Sequence, residues 1–333
     1  MLIVGGGITG VSLLHHLERR RIDAVLVERS RLAAGASGRN AGFLLAGVAS
    51  SYAAAVRSFG RDKTREVWAL TGENHDLMIE AARGQRIGYR RLGSATLASG
   101  DEERDELMES AQLLADDGFQ AYWDGRRLVN PRDGEVDPAA LVAALARQTR
   151  PGAIREGVDV TALEPRRRDV MVHAGDASCE AGLVILATNA YTPQLAPGAK
   201  IRPARGQMAA TGPLAATVSD LPTYSHFGYR YWRQLESGEV LIGGWRDQAM
   251  EEESGYDAEP TGQIQEHLVR ALLGLHVSAA VTHRWAGIMG FTESGLPLTG
   301  PIEGMPNVQL CAGFNGHGMG FAFITAKGVV DSL

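Results

Sequence analysis

Gly5, Gly7 and Gly10 show the G-x-G-x-x-G spacing between the apolar run Leu2-Ile3-Val4 and a helix-like segment, and Glu28 follows Gly10 by 18 residues at the end of a second apolar run. These residue types suit one task, the holding of a dinucleotide. The first glycine permits a tight turn, the second lets the backbone approach a pyrophosphate, and the third lets helix and strand pack closely. A helix from about Thr9 to Arg20 aims its unpaired N–H groups and positive dipole end at the phosphates. A carboxylate about 20 residues further on grips a ribose hydroxyl, which is the place of Glu28. Glycine-rich turns alone are common; the order strand, fingerprint, helix, strand and terminal acid is the stronger signal.

A second such turn lies near the other end of the chain. Gly313-Phe-Asn315-Gly316-His317-Gly318-Met319-Gly320 follows the apolar run Val308 to Ala312 and opens a last helix. A nicotinamide dehydrogenase needs no second anion-facing helix start. A flavin does, because reduction develops negative charge at the pyrimidine end of its ring. The plainer reading is a glycine-rich helix start packed against the sheet. Tyr229, Tyr231 and Trp232 are candidates to box in a substrate, although alternate members of such a trio can simply pack a sheet. Tyr231 is the preferred pocket residue. Arg233 and Arg246 are either anchors for an acidic tail or solvated surface groups. His15, His16, His75 and His267 have no metal-ligand spacing.

Periodicity predicts the elements that position these residues. Helical patterns cover Ala53 to Arg83, Asp101 to Asp117 and Gln263 to Leu273, and Asp137-Pro138 caps another that runs to Arg147. Strands are expected over Leu92 to Ser99, Val158 to Leu163 and Val170 to His173. Gly182 to Thr188 is a near-continuous apolar run, the sign of a buried parallel strand. From Pro203 the texture becomes antiparallel: Gln207 to Thr211, then Tyr229 to Gly244 with a hairpin turn at Glu236-Ser237-Gly238.

A chain of 333 residues exceeds one typical core, which predicts two domains or an interleaved pair. Hydrophobic content of 44% and charged content of 22% are those of a globular protein, and a net charge of −6 gives no reason to expect nucleic acid or anionic membrane as a partner. Cys179 and Cys311 are too few for a disulfide framework, and a reducing, cytoplasmic setting fits. The apolar start lacks a basic n-region and a small-residue cleavage site, so it does not read as a signal peptide. No run of about 18 uncharged apolar residues predicts a membrane span. The first strand begins at residue 1, so either the N-terminus is tightly trimmed or a few residues precede it.

The sequence resembles the flavin-dependent amine and amino-acid oxidases, the group of glycine oxidase, sarcosine oxidase and D-amino-acid oxidase. The resemblance is carried by Gly5 to Gly10, Glu28-Arg29, Ala36-Ser37-Gly38-Arg39-Asn40-Ala41-Gly42, Ala187-Thr188-Asn189-Ala190, Arg205-Gly206-Gln207, Trp285-Ala286-Gly287 and Gly313 to Met319, and so spans essentially the whole chain. The Ala-Ser-Gly-Arg-Asn loop and Tyr231-Trp232-Arg233 look most like the γ-glutamylputrescine oxidase branch. The resemblance implies FAD in an extended pose. Gly5, Gly7, Ile8, Thr9 and Gly10 would meet the pyrophosphate, Glu28 and Arg29 the adenosine end, and the Val160 backbone the adenine. Ala36, Ser37, Arg39, Asn40, Ala41 and Gly42 would line the path to the ring, with Ala187, Thr188 and Gly287 among the contacts. Gly313, Asn315, Gly316, His317, Gly318 and Met319 would hold the pyrimidine edge. His317 is read as a binding residue first, with Tyr231 and His317 the weak catalytic candidates.

Departures from the family pattern matter as much. Sarcosine oxidases carry a carboxylate-binding lysine where this chain has Gly320, and glycine and D-amino-acid oxidases an arginine where it has Met289. A lysine that promotes reaction with oxygen is matched by Leu241. Neither cysteine falls near Gly287, where the family attaches flavin covalently, so FAD is expected to be noncovalent. Without a folate-type domain after the last helix, comparison with the large dimethylglycine dehydrogenases is expected to be weak. The expected fold is α/β: a Rossmann-like FAD-binding domain over 1–90, 131–202 and 283–333, with an interleaved antiparallel-sheet (α+β) substrate domain over 91–130 and 203–282. The expected activity is oxidation of the C–N bond of a secondary amine, polyamine derivative or amino acid by hydride transfer to flavin, with oxygen as oxidant. The alternatives are an amine dehydrogenase using a quinone or protein acceptor, and a non-catalytic flavin-bearing subunit.

Overall fold

Apolar alternation in the first strand, Leu2–Val4, sends Ile3 to one face and Leu2 and Val4 to the other, and two cores form accordingly. The computed structural model describes residues 1–333. Leu2–Val4 pairs in parallel with Val25–Glu28 on one side and Val184–Leu186 on the other, and Val184–Leu186 pairs in parallel with Met305–Ala312. Ile154–Glu156 and Leu298–Ile302 complete a six-stranded sheet, the latter antiparallel. One face packs on the helices Ile8–Arg19, Pro138–Ala146 and Gly318–Asp331 through Leu13, Leu17, Leu141, Leu145 and Phe323. The other packs on a three-stranded antiparallel sheet through Val170, Val172 and Ala181. The expected buried strand over Gly182 to Thr188 is thus the centre of the sheet, and Asp137 caps its helix by accepting from Ala139 N and Ala140 N.

The second lobe is an eight-stranded sheet. Its long members, Ile201–Pro213 and Val281–Thr292, pair antiparallel from Ile201↔Thr292 to Thr211↔Val281. Next come Glu239–Gly244, Arg230–Gln234 and Thr223–Ser225, which pairs in parallel with Ser94–Leu97. Helix Gly262–Gly274 covers one face through Ile264, Leu268 and Leu272. The other face looks into the molecule.

Two expected elements differ. The helical pattern over Ala53 to Arg83 divides into Tyr52–Phe59 and Arg61–Ala81, because Gly60 at φ +82° ends the first helix. The strand expected over Val158 to Leu163 begins only at Ala162; Val158 N instead donates to the Glu28 carbonyl and draws the segment across the end of that strand. The expected boundaries at 202/203 and 282/283 lie inside Ile201–Pro213 and Val281–Thr292, the two strands that pair with each other.

Candidate functional site

Between the two lobes runs one cavity of about 1690 Å³, lined from Gly5 and Glu28 at one end to Tyr224 and Tyr231 at the other. Small-ligand pockets are usually about 300–1,000 Å³, so this volume suits a dinucleotide together with a substrate. At the Glu28 end, Gly5 turns at φ +112° with the Ala187 carbonyl only 2.8 Å from where a Cβ would lie. A Cβ on Gly7 would meet Ser37 Oγ at 2.7 Å, and one on Gly10 would collide with the Gly5 carbonyl. Side chains then fix the turn. Ile8 N donates to Ser37 Oγ (2.9 Å), Gly6 N to Glu28 Oε2 (2.7 Å), and Ser30 N to Glu28 Oε1 (2.9 Å). The N-cap residue Gly7 offers no side-chain cap, and with Ile8 N taken by Ser37 the next N–H groups, Thr9 N and Gly10 N, are left for a ligand or water.

The short helix Ala36–Arg39 continues the wall. Arg39 is not a free surface charge: Nε donates to Ala34 O and Nη1 to Ala286 O, both at 2.8 Å, and the Trp285 indole donates to Arg39 O. Asn40 accepts from Gly42 N and donates to Ser37 O. Across the cavity, Gly313 N and Phe314 N donate to Asn189 Oδ1 (3.0 and 3.3 Å), while Asn315 Oδ1 accepts from Thr292 N at 2.8 Å. His317 caps helix Gly318–Asp331, and burial holds its imidazole below the usual range, hence neutral near pH 7. Its ring stacks on Tyr224 with centroids 6.2 Å apart.

Of the expected cofactor residues, Gly5, Gly7, Ile8, Thr9, Glu28, Arg29, Ala36, Ser37, Arg39, Asn40, Ala41, Val160, Ala187, Thr188, Gly287, Asn315, Gly316, His317, Gly318 and Met319 line the cavity. Gly10, Gly42 and Gly313 do not; their missing side chains make room for Gly5, for Val136 with Arg233, and for Thr292 respectively. Tyr229, Tyr231 and Met289 line the substrate end, with Met289 packed between Gly206 and Gly316. Trp232 is a correction. Alternation in Arg230–Gln234 turns it to the opposite face, where it packs with Ala209, Ile242 and Leu268 under the covering helix. Cys311 is buried in its strand, its thiol pushed up to about 12 by burial, and no cysteine or lysine lines the cavity.

Several lining residues carry no sequence signal. Tyr224 sits in register with Tyr231, their rings 5.8 Å apart, and burial raises both phenols, Tyr231 to about 12. Asp133 is buried in the wall, bonded to Ala46 N and Ser94 Oγ. Arg246 also lines the cavity, with its guanidinium 5.3 Å from the Tyr229 ring centroid and 4.7 Å from that of Phe291. Arg233 is instead buried beneath the Gly42 loop, beside Glu135 and donating to Val136 O.

Two glycine turns at helix starts, a carboxylate at one end and an aromatic chamber at the other fit the cofactor that the resemblance implies. The FAD dependent oxidoreductase family matches residues 1–332. A Rhizobium meliloti protein named "Probable oxidoreductase OrdL" is 26% identical, over 98% of this chain and 80% of its own length. Gamma-glutamylputrescine oxidoreductase of Escherichia coli is 24% identical, over 99% of this chain and 82% of its own. In fold, glycine oxidase from Geobacillus kaustophilus superposes with a TM-score of 0.80 at 21% identity, covering 99% of this chain and 94% of that one. The chain belongs to the FAD dependent oxidoreductase family, and FAD is its cofactor.

Proposed function

We infer that this protein oxidises the C–N bond of a small amine. The observation that carries the reading is the single cavity that joins the Gly5–Glu28 end to a chamber walled by Tyr224, Tyr231 and Met289. When bound, FAD supplies a two-electron acceptor for hydride from the carbon next to a neutral amine nitrogen, and the resulting imine hydrolyses. The Gly5 turn and helix Ile8–Arg19 hold the pyrophosphate, Glu28 the ribose and Val160 the adenine. Ser37, Arg39, Asn40 and Ala41 line the way to the ring, and the Gly316–Met319 backbone holds its pyrimidine edge. FAD is held without a covalent bond. Tyr231, Tyr224 and Met289 orient the substrate C–H bond and exclude water, with its gain in effective concentration. Neutral His317 contributes position and dipole rather than charge.

Gamma-glutamylputrescine oxidoreductase, a relative over nearly the full chain, supports the amine class. Gly320 and Met289 offer no cation at the two positions where the resemblance puts the carboxylate anchor, and Arg246, which does line the cavity, is held against the Tyr229 and Phe291 rings. A methyl on Gly320 would come within 2.7 Å of the Leu45 carbonyl, so this position has no room for a side chain unless the backbone moves. On the oxidant, the starting reading is oxygen. A second reading is an organic or protein acceptor, and it is favoured by Leu241, which packs with Phe43 and Met208 where the resemblance puts a lysine.

Anaerobic titration of the yellow holoenzyme with an amine panel tests the function. Bleaching by extended amines, ahead of glycine, sarcosine and D-alanine, is the expected result; no bleaching by any amine overturns the reading. Readmitting air then separates the two oxidants by the rate of recolouring.

A further inference from the structure

Asp133 is only 4% exposed, lines the cavity, and carries no ion pair. Ala46 N donates to its Oδ1 at 3.0 Å and Ser94 Oγ to its Oδ2 at 2.6 Å. Arg91, the basic side chain that acts on it through space, is already held by Asp76 and Tyr89. The other carboxylates in the wall are differently placed. Glu28 accepts two backbone N–H groups, and Glu103 accepts those of Ser99, His226 and Phe227. Glu106 pairs with Arg57, and Asp159 is exposed. Asp133 is therefore a buried acid whose counter-charge the protein does not supply, and burial pushes its carboxyl up to about 7.

Its place in the cavity is at the substrate end. Ala46 follows Leu45, whose carbonyl abuts Gly320 at the end of the second glycine turn. Ser94 and Thr96 share the cavity face of strand Ser94–Leu97, and Thr96 is in register with Tyr224. Tyr224 in turn stacks on His317 and meets Tyr231 edge-on. A carboxyl held by a serine hydroxyl, in a wall it shares with the Tyr224 ring that feels its charge, is an environment for an ammonium group.

We propose that Asp133 anchors a cation subsite that takes the second, protonated amino group of a diamine-type substrate. The nitrogen under oxidation must be neutral, so the two ends of the substrate are told apart by charge: the ammonium seats on Asp133 while the uncharged amine reaches the flavin. This rests on the amine-oxidising reading above and adds the substrate class.

The test compares α,ω-diamines of three to eight carbons with monoamines of the same length. Binding to oxidised holoenzyme is followed by the change in flavin absorbance, and reaction by anaerobic bleaching. At least one diamine is expected to bind ten times more tightly than its monoamine. Asp133→Asn, which keeps an acceptor for Ala46 N, should bring the pair together without loss of FAD; if that variant does not retain flavin, Asp133→Ser is measured in its place. Equal binding of diamines and monoamines to the wild-type enzyme overturns the proposal, as does a diamine advantage that survives in the flavin-loaded variant. Preference for diamines, with no bleaching by these or by any other amine of the panel, supports the subsite and removes the amine-oxidising reading. Bleaching without preference does the reverse.

Discussion

The two glycine-rich turns leave two strands of one sheet, on either side of Val184–Leu186, yet they are held by different means. The first is held by close approach: Gly10 against the Gly5 carbonyl, Gly5 against the Ala187 carbonyl, Gly7 against Ser37. Its side-chain braces, Ser37 and Glu28, come from the next two elements of the chain. The second turn is held by side-chain amides, one from a distant segment and one its own. Asn189 accepts from Gly313 N and Phe314 N, and Asn315, itself left-handed at φ +53°, locks onto Thr292. A turn built on sterics announces itself as a spacing of glycines. In a turn braced by side-chain acceptors, the glycines show where the turn lies and not what holds it.

The largest effect expected from breaking this contrast is in the first turn. Gly10→Ala puts a methyl into the Gly5 carbonyl, and overpacking of this kind costs about 1–3 kcal/mol or more. FAD affinity should fall by roughly a hundredfold, the equivalent of ~3 kcal/mol, read as free flavin fluorescence after gel filtration. Retention of FAD by this variant would place the pyrophosphate elsewhere. Glu28→Ala removes an acceptor from Gly6 N and, in the proposed FAD pose, from the ribose, and charge-assisted bonds are worth about 1.5–3 kcal/mol. FAD binding should weaken at least tenfold while added FAD restores the holoenzyme; unchanged affinity takes Glu28 out of the site.

In the second turn, Asn189→Ala leaves Gly313 N and Phe314 N without their acceptor, a cost of about 1–3 kcal/mol. The expected signature is a lower melting temperature and a shifted flavin spectrum, with FAD affinity changing less than in Glu28→Ala. If Asn189→Ala strips FAD more completely than Glu28→Ala, the contrast between the turns is reversed.

The smallest effect concerns the contact between the two helices that the turns open. His16, on Ile8–Arg19, bonds to the Phe323 carbonyl of Gly318–Asp331 at 3.1 Å and meets the Phe323 ring edge-on at 4.4 Å. Burial, helped by His15, lowers its imidazole to about 4. A folded value below the unfolded 6.5 means that stability present above pH 6.5 is lost as pH falls towards 4. This contribution to the melting temperature should be flat from pH 8 to 7 and decline below 6.5, offset in part by Asp133, whose raised carboxyl adds stability as pH falls from 7 towards 3.8. Because burial also lowers His75 to about 4, His16→Gln should remove only part of the decline. An unchanged profile in that variant would show that the helix contact does not sense protonation.

Much of the parallel sheet, both turns and the hairpin was readable from patterns of two, three and four residues, since strand burial and glycine sterics act over that range. The substrate wall was not. Tyr224 belongs to a three-residue strand, Thr223–Ser225, too short to show a period and paired with Ser94–Leu97 from far upstream. Asp133 lies in Pro131-Arg132-Asp133-Gly134, which reads as turn chemistry. Trp232 and Tyr231 are neighbours in sequence and opposite in fate, and only the sheet pairing decides which of them faces the cavity.

The paired strands Ile201–Pro213 and Val281–Thr292 cover two of the places where one lobe was expected to end and the other to begin, with a bulge at Thr282 beside the second of them. Hinges are loop or element-terminal residues that absorb large backbone rotations, and the stretch paired without interruption from Ile201↔Thr292 to Ala210↔His283 is a beam rather than a joint. The chamber wall also holds small local bends. One is the cavity-lining bend at His226, Phe227 and Gly228, all left-handed and tied to Glu103 through the first two N–H groups.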